Sequence, residues 1–399
     1  MHIPSAEIYK EIFHEPAGIW FVPALGTDTH AILLKAPTNV LKAVMAGCEV
    51  KISFAIDQSA DLPVLISCVQ IYDDKDTPVM VFSPHIKEVE HKALPEILNR
   101  KSTPLFLYDE LSRNIAWAES AWSQDTDKVS QLILSFQSLH SGEATEVVQF
   151  ALDNLQVSLD PAIIIPSATQ ISFDQIGLVS QSFNAIDILS YSVNDKAHIF
   201  NALSKDEGGG FEQSAWQLLE SLFDYQLYKS PQTINNAGKE RELTDLFAFN
   251  DKRTFLFEAK VSSVLNTSSE RSTERRTKNI ESQIKKALGQ LYGAMRAIRS
   301  EQKIVSKSSI ELNFDRKIVP HSIVVISEMF PAVNWTEITK ALMETALESS
   351  SMVHIIDLVE LRNLIGYSSN VYYFDYYLMQ RFEAVINKES AFVRTKFIK

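Results

Sequence analysis

Apolar residues in the first half of the chain come in short runs set between turn-forming residues. The stretches 18–22, 31–34, 50–55, 62–72 and 78–82 are rich in Val, Ile, Leu and Phe and read as strands. Asp73-Asp74-Lys75-Asp76 supplies a hairpin turn between two of them. Helical spacing is clearer over 87–99 and 126–139, and a second β-leaning stretch covers 147–173. The pattern predicts an α+β domain and contains no internal repeat.

The second half is patterned differently. Gly208-Gly209-Gly210 resists helix and strand alike, which suits a domain boundary or the entry to a helix. Phe211, Ala215, Leu218, Leu219 and Leu222 then recur at helical spacing. A strand over 225–233 is followed by two β-rich arms, within 242–261, around the polar turn Asn250-Asp251-Lys252-Arg253. The mostly polar run 262–278 shows no strong period and predicts a mobile loop. Ile280, Ile284, Ala287, Leu288, Leu291, Met295 and Ile298 form the apolar stripe of a helix over 279–299. The unbroken apolar run 322–327 suits a strand inside a sheet. Helices over 335–347 and 374–386 and a strand over 353–356 complete an α/β unit with a central mixed sheet flanked by helices.

The hairpin places charges together. With 250–253 as its loop, Phe249 pairs with Thr254, and Asp245 comes to lie opposite Glu258. Lys260 projects from the same face as Glu258, while Phe255, Phe257 and Ala259 project from the other. Two carboxylates so close repel unless something positive lies between them. Mg²⁺, with Mn²⁺ as its substitute, takes hard oxygen ligands and often uses only one or two carboxylates plus phosphate and water. Lys260 is placed to orient an attacking water or to stabilise charge on a phosphate.

Composition and charge narrow the classes. With 45% apolar and 22% charged residues the chain is globular, and 399 residues suit two domains. No apolar run reaches the ~20 residues needed to span a bilayer. The first residues lack a secretory pattern, and Cys48 and Cys68 fit neither a disulfide scaffold nor a zinc motif. A cytoplasmic protein with no membrane partner is expected. The net charge is −12, and residues 1–205 carry all of the excess, with 13 Lys and Arg against 25 Asp and Glu. Residues 206–399 balance at 25 of each, and within them 251–299 hold 11 basic and 5 acidic residues. The expected division is therefore an acidic α+β domain at 1–205, a possible surface for a protein partner, and a second domain at 206–399.

Asp245, twelve intervening residues and then Glu258-Ala259-Lys260 resemble the motif of the PD-(D/E)xK nucleases, the restriction-endonuclease-like superfamily. The resemblance covers about 210–327 and implies the order helix, three strands, helix, strand. Thr244 stands where the family's name has proline. The resemblance further implies that Glu212 on the first helix assists the metal site and that the Ala259 carbonyl is a metal ligand. It makes Gln283 and Gln290 supporting residues on the following helix. Arg271, Arg275, Arg276 and Lys278 are candidate phosphate contacts. The implied activity is Mg²⁺-dependent hydrolysis of phosphodiester bonds, DNA foremost, by an endonuclease or exonuclease in restriction, repair or defence. The alternative is a catalytically silent nuclease fold that binds nucleic acid or a protein partner.

Overall fold

The computed structural model describes the chain except residues 1–3, 24–28, 75–77, 144, 160–168, 192–196, 224–225, 236, 263–271 and 396–399. It is a mixed α/β protein of two compact units. One is Met1–Asp187 with Asn201–Leu203; the other takes Ile188–Phe200 and most of the chain after Ser204. Among the described residues no helix is long and apolar enough to cross a membrane.

In the first unit, helix α1 (Ala6–His14) precedes the hairpin of β1 (Gly18–Pro23) and β2 (His30–Lys35). Helix α2 (Thr38–Met45) leads into the antiparallel meander β3 (Val50–Asp57), β4 (Val64–Ile71) and β5 (Val79–His85). After α3 (Glu88–Leu98) come β6 (Thr103–Tyr108) and β7 (Asn114–Trp122), then α4 (Asp127–Leu134) and α5 (Glu146–Leu159). Strands β8 (Thr169–Ser180) and β9 (Asn184–Ala185) close the unit. The strands form one sheet in the order β1-β2-β6-β7-β8-β3-β4-β5, with β9 beside β7. Its ends meet, since the Ile19 N–H on β1 donates to Ser83 Oγ on β5 at 2.8 Å. The sheet is thus a nearly closed barrel, which shields the exposed edges of an open sheet.

The expected strands of this unit are present, but within 147–173 only 169–173 are β, 147–159 are helical, and 160–168 lie outside the described residues. Helix α5 occupies its first part because Val148, Ala151 and Leu155 recur at helical spacing and pack on Ala55, Ile66 and Cys68. The β-branched pair Val147 and Val148 favours a strand locally. Burial outweighs that propensity. Cys48 and Cys68 are free thiols, and burial pushes both up to about 12. Part of the expected turn at 73–76 lies outside the described residues.

The second unit opens with the hairpin β10 (Ile188–Tyr191) and β11 (Ala197–Phe200), followed by α6 (Glu207–Phe223). Short strands β12 (Leu227–Lys229), β13 (Gln232–Ile234) and β14 (Glu240–Glu242) precede the hairpin β15 (Leu246–Asn250) and β16 (Arg253–Lys260). Next come α7 (Thr273–Arg299), β17 (Lys303–Val305), β18 (His321–Ile326), α8 (Trp335–Ser349) and β19 (Met352–Asp357). Helices α9 (Leu358–Tyr367) and α10 (Val371–Lys388) finish the unit.

The triglycine does not break α6; it forms part of the first turn. The Gly209 N–H donates to the capping Asp206 Oδ1 at 2.9 Å, and a Cβ at Gly209 would collide with the other oxygen of that carboxylate. A larger residue there would make the Asp206 side chain swing away. The strand expected over 225–233 is split at Ser230, whose φ is 48°. Its first part, β12, joins the main sheet and its second part, β13, joins a separate one.

The main sheet runs β12-β15-β16-β18-β19. It is antiparallel across β12, β15 and β16, then parallel across β16, β18 and β19, with α7 and α8 as the crossovers that parallel pairing requires. A smaller sheet runs β14-β13-β17. Phe247 and Leu256 face the α7 side with Ile280, Ile284, Leu288 and Leu291. Phe255 faces the other side, against Phe223 of α6 and Phe374 of α10. Each such buried side chain contributes roughly 1.5–3 kcal/mol, so the two apolar faces fix the pairing register.

Candidate active site

The β15–β16 hairpin turns on Asp251 and Lys252, with Asn250 and Arg253 already paired, a loop tighter than the one expected. The expected register is present: Phe249 pairs with Thr254 and Leu246 with Phe257. One step further, Asp245 comes opposite Glu258. The face that buries Phe247 and Leu256 therefore ends in Asp245, Glu258 and Lys260. This is the carboxyl end of β16, where the sheet changes from antiparallel to parallel pairing, the usual place for a ligand in an α/β sheet.

Local hydrogen bonds hold the group. Thr244 Oγ1 donates to the Phe257 carbonyl at 2.7 Å, a contact that a proline at that position lacks. The Ser230 N–H donates to the Asp245 carbonyl at 2.7 Å. Asp245 Oδ2 accepts from the Ala259 N–H at 2.7 Å and from Lys260 Nζ at 3.1 Å. Lys260 Nζ also donates to Glu258 Oε2 at 2.8 Å. Glu258 is 1% exposed and Asp245 8%.

The electrostatics follow from this crowding. Burial, then the Asp245 charge, pushes Glu258 up to about 7, with Lys260 acting in the opposite sense. Burial works against the Lys260 charge, but Glu258 and Asp245 outweigh it and hold the ammonium above its ordinary value. Glu212 is raised by burial and by Asp245, with Lys229 opposing. Lys229 Nζ lies 3.9 Å from Glu212 Oε2. Glu212 thus stands within the field of the same cluster.

The cluster opens into a cleft of about 320 Å³ lined by Asp245, Glu258, Glu242, Arg241, Lys286 and Gln290, among others. Gln290 is therefore at the site, whereas Gln283 is a half-buried residue of α7 outside the lining. Sequence reasoning missed Glu242 and Arg241. They belong to a short polar strand without a two-residue apolar period, and its pairing with β13 is what carries them to the cleft.

The basic segment is arranged otherwise than its sequence suggests. Helix α7 begins at Thr273, capped by Ser272, so Arg275, Arg276 and Lys278 lie on a helix rather than a loop. Arg276 is buried, pairs through two nitrogens with Glu328 and stacks 4.4 Å over Phe330. That leaves it no role in gripping phosphate. Lys278 donates to Glu274 one turn away, at 2.5 Å. Arg271 lies outside the described residues.

No protein family, curated protein or solved structure matches this chain. The site is therefore judged on its chemistry alone. Among the described residues no three His, Cys, Asp or Glu side chains gather as a metal-holding group. Asp245 and Glu258 nevertheless supply two carboxylates. The Phe257 carbonyl and the Ala259 N–H both point toward the β15 side, so strand alternation points the Ala259 carbonyl there too, just past the end of β15. Two carboxylates and a carbonyl are hard oxygen donors and suit Mg²⁺ or Mn²⁺.

Proposed function

We propose that the second unit is a metal-dependent phosphodiesterase of the PD-(D/E)xK type that hydrolyses nucleic acid, DNA foremost. The observation that carries this reading is the pairing of Asp245 with Glu258 at a strand end, with Lys260 between them. A fold gains little from two buried carboxylates whose mutual repulsion helps push one of them to about 7. Strongly perturbed groups in a cleft at a sheet's switch point are a mark of chemistry. The order α6, β12, β15, β16, α7, β18 parallels the helix, three strands, helix, strand that the resemblance implies.

Asp245, Glu258 and the Ala259 carbonyl would hold the cation. When bound, Mg²⁺ supplies Lewis-acid polarisation of the phosphate and a more acidic water. Lys260, no longer needed between the carboxylates, directs its ammonium to the attacking water or to the charge that develops on phosphorus. Glu212 adds negative charge beside Asp245, and the Lys229 ammonium partly offsets that charge. The Asp245 hydrogen bond from the Ala259 N–H fixes that carboxylate, so its free lone pairs face the cleft. Restriction, repair or defence against foreign DNA are the settings suggested by analogy.

A second reading has one observation in its favour. The Lys260 ammonium already pairs with both carboxylates, as in a nuclease fold that has lost its metal and kept binding. Cleavage of plasmid and single-stranded DNA with Mg²⁺ or Mn²⁺ separates the two. Cutting by the natural protein that disappears in Asp245→Ala and Lys260→Ala establishes the enzyme. A folded protein that binds DNA without cutting supports the silent module.

A further inference from the structure

The 320 Å³ cleft at Asp245 and Glu258 does not stand alone. A second cavity of about 460 Å³ adjoins it and shares Arg241 and Gly293 in its lining. Its other polar wall residues are Asn235, Lys239, Arg296, Ser300 and Gln302. Three of its lining side chains are cationic and none is acidic, whereas the first cavity carries Glu242, Asp245 and Glu258. The two form one groove, purely cationic at one end and holding the three carboxylates together with Arg241 and Lys286 at the other.

One face of α7 makes its long wall. Lys286, Gly289, Gln290 and Gly293 line the first part and Gly293, Arg296 and Ser300 the second, a helical repeat over fourteen residues or about 21 Å. The opposite wall is β14 with the β13–β14 turn. Arg241 crosses between them, donating from its guanidinium to the Gly293 carbonyl at 2.8 Å. Gly289 and Gly293 are unusual in the middle of a long helix, where glycine weakens the helix. A Cβ at Gly289 would meet nothing within 4 Å, and one at Gly293 only the Arg241 guanidinium at 3.7 Å. Packing does not demand either glycine. Gly289 leaves the groove wall bare, which allows close approach of another backbone, and Gly293 carries the Arg241 guanidinium.

We infer that this groove holds a single-stranded stretch of the nucleic acid, its phosphates against Lys239, Arg241 and Arg296 and its scissile bond at Asp245 and Glu258. The inference rests on the nuclease reading and adds the substrate class to it. The bare glycine wall suits a sugar-phosphate backbone, and the cations supply sequence-independent attraction. Cavities of about 460 and 320 Å³ have the size of small-molecule sites and leave room inside them for a short run of one strand.

The test measures anisotropy of a labelled single-stranded oligonucleotide across a salt series, with Ca²⁺ replacing Mg²⁺ to prevent cutting. The variant Lys239→Glu with Arg296→Glu changes exposed residues on the two walls. Lys340→Glu with Lys388→Glu makes the same charge change on α8 and α10. The groove variant should bind at least ~10-fold more weakly at low salt. Its log–log salt slope should fall by roughly 1.4, about 0.7 for each phosphate that the variant leaves without a cation. The control should bind as the natural protein does, with unchanged melting for all three. A blunt duplex bound as tightly as the single strand, or a groove variant that binds like the control, overturns the inference while leaving cleavage intact. A natural protein that neither binds nor cuts nucleic acid overturns the nuclease reading itself.

Discussion

Replacing Glu258 by Gln should make the metal-free second unit more stable at high pH, although the residue is central to the proposed chemistry. Glu258 is 1% exposed and its ionisation is driven from 4.5 up to about 7 by burial and by Asp245. At about 1.4 kcal/mol per pH unit, ionised Glu258 costs the fold about 3 kcal/mol. The sign is that of an acid with a raised folded pKa. Stability is full below 4.5, where both states hold the proton, and is lost as pH rises from 4.5 through about 7. Glutamine mimics the protonated form and removes that loss. Its gain over the natural protein is therefore about 3 kcal/mol at pH 8 and under ~1 kcal/mol at pH 5. Groups remote from Glu258 act in both proteins and cancel in the difference, whereas Lys260 and Asp245 lose its charge in the variant. The assay is urea-dependent hydrogen exchange of the β16 segment in chelator-treated protein at the two pH values. A variant that is less stable at pH 8, or a difference that does not grow with pH, refutes the reasoning.

Three further outcomes are expected. Arg276→Ala strands the Glu328 carboxylate, so the second unit should lose about 3 kcal/mol in urea unfolding, while the salt slope of DNA binding stays unchanged. Gly289→Ala fills open space on a helix and should raise stability by about 0.5–1 kcal/mol in the same measurement. Burial lowers His354, and its neighbour His321, with Nδ1 2.9 Å from His354 Nε2, is lowered too. A base with a lowered folded pKa loses stability as pH falls below 6.5, and His354→Gln should flatten that acid limb in a pH series of thermal melts.

The sequence is most legible where one period dominates. The two-residue alternation of 245–260 yields the hairpin register, and with it the meeting of Asp245 and Glu258. The 3.6-residue stripe of α7 is readable because every member from Ile280 to Ile298 is buried. The run at β18 reads as interior because it lies between β16 and β19. Where local preference conflicts with tertiary demand, the sequence misleads. Val147 and Val148 favour a strand, but Val148 packs with Ala151 and Leu155 as a helix face. Arg241 and Glu242 are invisible because nothing local says that a three-residue polar strand pairs with β13. Arg276 reads as a loop cation because Glu328, its partner, lies 52 residues away.

The chemistry proposed for the second unit depends on Asp245 and Glu258 forming a site for a divalent cation. Mn²⁺ titration followed by electron paramagnetic resonance, in the full-length chain and without nucleic acid, tests that most directly. The expected result is bound Mn²⁺ that Mg²⁺ displaces and that is lost in both Asp245→Ala and Glu258→Gln. Binding that survives in the two variants, or a folded natural protein that binds no Mn²⁺, contradicts it.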